Sequence, residues 1–392
     1  MTTSRLKDEG FLRRALDLAR QGVGLVSPNP CVGALLVDDQ GDVIATGSYT
    51  YEGLKHAEVI ALEQAGEGSR GSTLYINLEP CSHQGRTPPC ADAVIAAGVR
   101  RVVACMQDPN PLVSGRGFGR LRAAGIEVET GLLEADARLL NEFFAKYIRC
   151  RTPLVTLKAA MTLDGKIAPP APWNSDASGR AAARSGATVI TGELARAHVQ
   201  ELRHQHDAIM VGVGTVIADD PLLTDRSGRP RRRPLLRVIL DSGLRLPVDS
   251  QLVETANDDV LVLCSFAEEK KKRQLLKLGV CVEQIPRSTA DGHPDLKAVV
   301  RHLGEREITS LMIEGGAMVN WAALEAGIAD KVFLYYAPRI LGGTKSIPFA
   351  AGTGFANLGD AVPVKSTRFH RFGEDFAIEG YLNDPYESAA IR

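Results

Sequence analysis

The chain has 392 residues, of which 44% are apolar and 24% are charged, and its formal net charge is −1. This length exceeds one ordinary hydrophobic core and predicts two domains, and the balanced charge excludes a dedicated nucleic-acid-binding protein. Residues 1–10 lack the apolar segment of a signal peptide, and no apolar run is long enough to span a bilayer. The seven cysteines form no disulfide-like pattern, which favours a reducing compartment. We therefore expect a cytoplasmic protein without a membrane partner.

The first part of the chain alternates between helical and strand patterns. Apolar residues at helical spacing predict a helix over residues 9–21, and runs typical of strands, 32–37 and 43–45, flank a turn at 38–41. Further helices are predicted at 56–65, 91–97 and 133–147, further strands at 73–78 and 101–105, and one more alternation within 121–130. This order predicts an α/β fold in which helices cover a sheet.

A second α/β series begins after Pro153, which interrupts the helical pattern before it. We therefore predict one domain at 1–150 and another at 151–392. Strands of the second domain are predicted at 154–157, 208–213, 236–240, 260–264, 310–313 and 332–336, and its helices at 193–204, 267–278, 294–303 and 319–326. The proline- and alanine-rich segment 169–184 is typical of a loop.

The stretch from His56 to Cys90 has the residues of a catalytic zinc site. His56, Cys81 and Cys90 offer one nitrogen and two sulfur ligands, which leaves the fourth tetrahedral position open for water. Glu58 stands beside the first ligand and can carry protons, as in zinc-dependent nucleobase deaminases, although eight residues rather than two separate the cysteines here. A structural zinc module is the alternative, but such sites usually close with four protein ligands.

Several motifs occur in one order along the chain. In the first half they are Pro28-Asn29-Pro30-Cys31-Val32-Gly33, His56-Ala57-Glu58, the segment 79–90 and Asp108-Pro109-Asn110-Pro111. In the second half they are the segments 157–160, 162–165, 214–215, 218–221, 241–242 and 314–316. With these motifs the chain closely resembles the family of bifunctional riboflavin-biosynthesis deaminase/reductases over nearly its whole length.

The resemblance implies a cytidine deaminase-like three-layer domain followed by a dihydrofolate reductase-like domain. The first would use Zn²⁺ to hydrolyse an amino group of 2,5-diamino-6-ribosylamino-4(3H)-pyrimidinone 5′-phosphate. The second would use NADPH to reduce the ribosyl group to ribityl. In the first domain the amide of Asn29 would bind the pyrimidine edge, the alternative being a turn residue between two prolines. His83 would contact the substrate or orient its loop.

For the second domain the resemblance implies two sets of binding residues and a pocket-shaping pair. The cofactor would be lined by Ala160, Thr215, Asp219, Ser242, Gly316, Ala317, Met318, Val319 and Asn320. The substrate would be held by Arg203, Leu223, Arg226 and Glu314, with Lys158 and Asp164 shaping the pocket. The two arginines suit a sugar phosphate because guanidinium groups bind phosphate oxygens in pairs. For Arg203 a solvated helix position stays open.

Three features depart from the family pattern. Tyr49 stands where the family usually has a histidine, seven positions before the metal-binding histidine. Residues 187–190 replace a Ser-x-Trp-Ile segment, and the preceding loop at 169–184 is longer than usual. We expect the first change to alter a substrate contact of the deaminase site, and the other two to lie beside the nicotinamide pocket.

Two rival functions remain open. A deaminase that acts on a base in tRNA requires a basic surface, but the basic runs 229–233 and 270–273 are more typical of a solvated loop and a solvated helix face. In the other rival, the second domain is a scaffold without a cofactor. We expect the partner to be a small phosphorylated pyrimidine, without nucleic acid or membrane, and the chain to form a homo-oligomer.

Overall fold

The computed structural model divides the chain into two compact units. It describes residues 3–85, 88–170, 189–289 and 292–387. The first unit runs up to Arg151 and includes Pro230–Arg232, and the second comprises Thr152–Arg229 and Arg233–Glu387. Most of the predicted loop at 169–184, and half of the segment 187–190, lie outside the described residues. Within the described ranges, no helix is long and apolar enough to cross a membrane.

The first unit is a five-stranded sheet with helices on both faces. Its strands are β1 (Gly33–Val37), β2 (Val43–Ser48), β3 (Thr73–Leu78), β4 (Arg101–Met106) and β5 (Glu127–Thr130). Its helices are α1 (Thr3–Arg20), α2 (Ala57–Ala65), α3 (Cys90–Ala96), α4 (Arg116–Ala123), α5 (Glu134–Leu140) and α6 (Glu142–Cys150). The strand order is β2-β1-β3-β4-β5, with β1 antiparallel to both neighbours and β3, β4 and β5 parallel. The predicted α/β class is confirmed.

Two glycines allow helices to approach this sheet closely on opposite faces. A Cβ atom on Gly33 would lie 2.3 Å from the backbone oxygen of Ala15 in α1. A Cβ atom on Gly47 would lie 2.0 Å from the backbone oxygen of Ala57, the first residue of α2. Real side chains do not tolerate such distances, so only glycine fits at these positions. The second contact holds the start of α2, where His56 lies, against the sheet.

The second unit is built on a nine-stranded sheet. Its strands and the small ribbon beside it are β6 (Leu154–Thr162), β7 (Lys166–Ala168), β8 (Ala208–Gly212), β9 (Leu236–Leu240), β10 (Val260–Cys264), β11 (Val280–Gln284), β12 (Ser310–Ile313), β13 (Lys331–Ala337), β14 (Ile347–Pro348), β15 (Lys365–Phe372) and β16 (Asp375–Tyr381). Its helices are α7 (Glu193–Gln205), α8 (Val213–Asp219), α9 (Gln251–Glu254), α10 (Glu269–Lys277), α11 (Leu296–Glu305) and α12 (Ala317–Glu325). The order is β11-β10-β9-β8-β12-β6-β13-β16-β15, while β14 and β7 pair separately.

The central strands of this sheet are parallel, and only β16 and β15 run antiparallel to their neighbours. Strands such as β10 are continuous apolar runs, as expected where both faces of a sheet are covered. The carboxyl ends of parallel strands meet at one edge, where ligands commonly bind. There β8 leads directly into α8, and the amide of Gly212 donates to the carbonyl oxygen of Gly315, just before α12. This edge therefore brings two predicted cofactor segments together.

The structure differs from the sequence prediction in identifiable places. The single helix predicted over 133–147 is two helices, α5 and α6, which meet at Asn141. The side chain of Asn141 accepts from the amide of Cys31 (2.8 Å) and donates to its carbonyl oxygen (3.1 Å). Strands β11, β15 and β16 were not predicted. Most of β15 is exposed at the sheet edge, so it lacks the apolar alternation that identifies a half-buried strand.

Candidate active sites

His56, Cys81 and Cys90 meet at the amino-terminal ends of two helices. His56 precedes α2, Cys90 begins α3, and Cys81 follows β3. Their ligand atoms all lie within 4.8 Å of one another, and Nδ1 of His56 is 3.0 Å from Sγ of Cys90 and 3.6 Å from Sγ of Cys81. Tetrahedral zinc, with nitrogen at ~2.1 Å and sulfur at ~2.3 Å, separates such ligands by roughly 3.6 Å. The donor set fits zinc, and no fourth ligand-type residue joins it in the described part of the chain.

Hydrogen bonds inside this cluster redistribute its protons. The side-chain hydrogen bond between the two thiols lowers the pKa of Cys81 and raises the pKa of Cys90. The hydrogen bond to Cys81 also raises the pKa of His56. The backbone amide of Cys90 donates to Sγ of Cys81 at 3.3 Å and favours a thiolate there. Because metal ligands bind in their deprotonated forms, zinc uptake by this cluster must release protons.

Glu58 lies in the first turn of α2 with its side chain directed into the same site. It is only 3% exposed, and burial raises its pKa to about 7. A carboxyl group with such a pKa can both accept and return a proton near neutral pH. Its position and burial suit a proton carrier.

A cavity of about 290 Å³ opens over this cluster and contains the predicted substrate residues. Asn29 and His83 line it together with His56, Glu58 and Cys81. The cavity wall also includes residues for which the sequence predicts no role, among them Glu79, Asp108, Asn110, Phe144 and Ile148. Three of these belong to the quoted motifs, so the motif match was the only signal that could have found them.

The buried carboxylate of Glu79 organises the loop that forms one wall of this cavity. It accepts hydrogen bonds from the backbone amides of Asp108 (3.1 Å), Gly115 (2.9 Å) and Phe118 (3.1 Å). Asp108 is itself buried, and burial raises its pKa to about 7. Glu79 therefore positions the loop rather than contacting a metal or a reacting atom.

Replacing Glu79 with Gln should destabilise the first unit by about 1.5–3 kcal/mol, because a neutral amide accepts these hydrogen bonds less well and turns an NH₂ group toward backbone donors. Urea titration followed by a signal from the first unit measures this change. The matched control is Glu134→Gln, since that side chain is half exposed and pairs only loosely with Arg138. Equal stability of the two variants would contradict the proposed role of Glu79.

In the second unit, Arg203, Glu314 and Lys158 form a buried ionic cluster. Arg203 pairs with both carboxylate oxygens of Glu314 (2.8 and 3.0 Å) and donates to the carbonyl oxygen of Thr224 (2.8 Å). The ammonium of Lys158 is 3.5 Å from Glu314. Burial opposes ionisation of Glu314, but the charges of Lys158 and Arg203 lower its pKa to about 2. Arg203 is thus held in an ion pair rather than solvated.

A cavity of about 720 Å³ adjoins this cluster. The predicted substrate residues Arg203, Leu223, Arg226 and Glu314 line it together with the predicted cofactor residues Thr215 and Asp219. The structure therefore brings these six residues around one space. Arg226 is exposed at its wall, and its backbone amide is held by the side chain of Gln200.

The start of α12 lies against α8 beside this cavity. A Cβ atom on Gly316 would lie 3.3 Å from the hydroxyl oxygen of Thr215. Asn320 is 1% exposed, donates to the carbonyl oxygen of Phe349, and leaves its buried Oδ1 without a hydrogen-bond partner. A glycine-lined helix start and an unsatisfied buried acceptor fit a dinucleotide cofactor that approaches the backbone closely. Ala317, Met318 and Val319 complete the first turn of this helix.

The remaining predicted residues do not join the wall of this cavity among the described residues. Ala160 lies in β6, and Ser242, after β9, is 2.6 Å from Nδ1 of His293. Asp164 accepts from the hydroxyl of Thr162 (2.6 Å) and from the backbone amides of residues 341 and 342, and these bonds lower its pKa to about 2. Asp164 therefore links its own turn to the segment at residues 341 and 342, and its pocket-shaping role stays a prediction.

Comparison with known proteins agrees with this geometry. Residues 153–378 match the family model of the RibD C-terminal domain, and residues 5–106 match that of the cytidine and deoxycytidylate deaminase zinc-binding region. The riboflavin biosynthesis protein RibD of Actinobacillus pleuropneumoniae is 41% identical over 97% of this chain and 96% of its own length.

Two solved structures are similar over nearly the whole chain. RibD of Acinetobacter baumannii is 35% identical with a TM-score of 0.80, covering 96% of this chain and 99% of its own. The Thermotoga maritima diaminohydroxyphosphoribosylaminopyrimidine deaminase/5-amino-6-(5-phosphoribosylamino)uracil reductase is 35% identical with a TM-score of 0.78 and the same coverage. These matches confirm the resemblance and the two-part fold predicted from the motifs. The chain therefore belongs to the RibD family of bifunctional riboflavin-biosynthesis enzymes, which join a zinc-binding deaminase domain to a reductase domain.

Proposed function

We propose that residues 1–150 deaminate 2,5-diamino-6-ribosylamino-4(3H)-pyrimidinone 5′-phosphate and that residues 151–392 reduce the ribosyl group of the product with NADPH. The observation that carries this proposal is the convergence of His56, Cys81 and Cys90 beside the buried Glu58. A second cavity in the other unit, lined by Arg226, supports the reductase half. The activity named for the Thermotoga maritima relative supports the choice of substrates.

In the deaminase half, His56, Cys81 and Cys90 hold zinc. The metal supplies a Lewis acid that makes water nucleophilic at neutral pH. Glu58 takes one proton from the attacking water and passes it to the ring nitrogen, and then passes the remaining hydroxyl proton to the departing amino group, which leaves as ammonia as the carbonyl forms. Asn29 binds the pyrimidine edge with its amide, and His83 contacts the substrate from the cavity wall.

In the reductase half, the chain positions two ligands in one cavity. NADPH supplies the hydride. Thr215, Asp219 and the start of α12 hold the cofactor, and the exposed guanidinium of Arg226 binds the substrate phosphate. Because Arg203 is already paired with Glu314, it holds that carboxylate in place for the substrate rather than binding phosphate.

Replacing Arg226 with Ala should raise the KM of the reductase for its phosphorylated substrate roughly 10- to 100-fold, since a charged hydrogen bond to phosphate is lost. The dissociation constant for NADPH, measured by cofactor fluorescence, should stay within about twofold. Arg273→Ala is the matched control because Arg273 is exposed on α10, where it pairs loosely with the exposed Glu269. An unchanged KM would assign phosphate binding to other residues.

Titration of the wild-type protein with NADPH distinguishes the proposed reductase from the alternative of a scaffold domain without a cofactor. If wild-type protein showed no saturable NADPH binding, the second domain would be a scaffold and only the deaminase would remain. The tRNA deaminase alternative requires a basic surface, whereas the cavity over the metal cluster is lined by the carboxyl groups of Glu58, Glu79 and Asp108.

We also propose a cytoplasmic homo-oligomer. All seven cysteines are free thiols, which supports a reducing compartment. Large apolar side chains of the second unit are exposed, among them Ile340, Leu358 and Phe369. Exposed apolar side chains of this size are typical of surfaces that associate. Sedimentation analysis of the purified protein tests the oligomeric state.

A further inference from the structure

Tyr49, the residue that departs from the family pattern, contacts both the pyrimidine-binding residue and the metal-binding histidine. It follows β2, is 4% exposed, and lines the deaminase cavity. Its hydroxyl oxygen is 2.6 Å from Nδ2 of Asn29, which donates to it. Its ring packs edge-on against the imidazole of His56, with centroids 5.5 Å apart and an angle of 85°.

The hydrogen bond from Asn29 has a consequence for recognition. A carboxamide has a donor end and an acceptor end of nearly equal size, so an unrestrained asparagine can present either end to a ligand. A pyrimidine edge has fixed donors and acceptors and pairs with only one orientation. In this structure Nδ2 of Asn29 donates to the hydroxyl of Tyr49, and this hydrogen bond holds the amide with its nitrogen end toward Tyr49.

The backbone of Tyr49 is fixed independently of this hydrogen bond. Its amide donates to the carbonyl oxygen of Val32 at 3.0 Å, as a continuation of the pairing between the first two strands. The ring contact with His56 restricts the hydroxyl further, since it limits rotation of the phenol. Because the backbone and the ring of Tyr49 are already held, the side chain loses little conformational entropy when its hydroxyl accepts from Asn29.

We propose that Tyr49 is a positioning residue of the deaminase, which orients the Asn29 amide for the pyrimidine edge and thereby sets substrate affinity. This inference rests on the proposed binding of the pyrimidine by Asn29. Tyr49 acts through Asn29 and transfers no proton. Loss of its hydroxyl alone should therefore weaken substrate binding, while the metal and the chemical step stay intact.

The test is a double-mutant cycle in the full-length, zinc-loaded protein. Tyr49→Phe keeps the ring against His56 and removes only the hydroxyl, so KM for ammonia release should rise about tenfold, with kcat and zinc content within about twofold of wild type. Asn29→Ala should raise KM at least as much. In the double variant, KM should equal that of Asn29→Ala alone, because both changes remove one interaction.

Tyr51→Phe is the matched control, since Tyr51 lies two residues away and does not line the described cavity; its KM should match wild type. Additive effects of Tyr49→Phe and Asn29→Ala would overturn the inference, as would a loss of zinc or a fall in kcat without a change in KM. Absence of zinc-dependent ammonia release from the wild-type protein would instead refute the proposed function, so the two failures are distinguishable.

Discussion

Replacing Glu58 with Gln should leave zinc bound and lower the rate of ammonia release by about 10²–10⁴-fold, the usual contribution of a positioned proton carrier. Glutamine has nearly the same size and cannot accept and return a proton. The metal should stay because His56, Cys81 and Cys90 form the ligand cluster and Glu58 does not belong to it. Metal analysis and an ammonia assay on the same preparation measure both quantities.

Glu63→Gln is the matched control for this variant. Glu63 lies on the same helix, is more than half exposed, and pairs with Lys55 on the surface. Its replacement should leave both zinc content and ammonia release unchanged. Near-normal turnover by Glu58→Gln would refute Glu58 as the proton carrier, and loss of zinc in that variant would mean that its carboxylate supports the metal site.

Replacing Cys90 with Ala should empty the metal site and abolish ammonia release, while reduction of separately supplied deaminated substrate continues at the wild-type rate. One of three ligands is removed, and metal affinity falls steeply with ligand number. The reductase should survive because its cavity lies entirely in the second compact unit. Zinc content, ammonia release and NADPH oxidation are measured in parallel.

Cys150→Ala provides the control for removing a thiol. Cys150 is a free cysteine at the end of α6 and is not part of the metal-binding cluster. This variant should keep zinc and both activities. If Cys90→Ala lost the reductase as well, the two halves would fold as one cooperative unit and the separation into independent domains would be wrong.

The metal cluster could be predicted from sequence because its members are recognisable by residue type. Histidine and cysteine are the ligands of zinc, and the ends of β3 and the starts of α2 and α3 could be estimated from apolar periodicity. Contacts that depend on tertiary placement could not be predicted. Glu79 accepts from two backbone amides of the segment that begins 29 residues later and from one in the first turn of α4, and no residue pattern indicates such partners.

In the reductase half, too, a tertiary contact decides a residue's role, namely which of two arginines is available to bind phosphate. The family resemblance predicts that Arg203 and Arg226 both hold the substrate phosphate, with a solvated helix position left open for Arg203. In the structure Arg203 is buried in an ion pair with Glu314, whereas Arg226 is exposed at the cavity wall. Which of two arginines keeps its guanidinium available depends on a carboxylate 111 residues away in the chain. Composition and spacing carry no information about that pairing.

The fold was predictable where both faces of a strand are buried and less so at edges. A continuous apolar run such as β10 was placed correctly, because burial on both faces selects apolar side chains at every position. The edge strand β15 exposes most of its side chains, so its sequence records little of the pairing. The break between α5 and α6 depends on the distant backbone of Cys31, which local propensity cannot report.

Cys81 and Cys90 are separated by eight residues in the chain but meet in one metal-binding cluster. The amide of Cys90 donates to Sγ of Cys81, and the amide of Ala91 donates to the carbonyl oxygen of Cys81 at 3.1 Å. Since the two ends are joined directly, insertions or deletions between them need not displace either ligand. His83 lies between the two cysteines in the chain and lines the cavity. The residues between the two cysteines can therefore change during evolution, and substrate preference with them, while the zinc ligands stay in place.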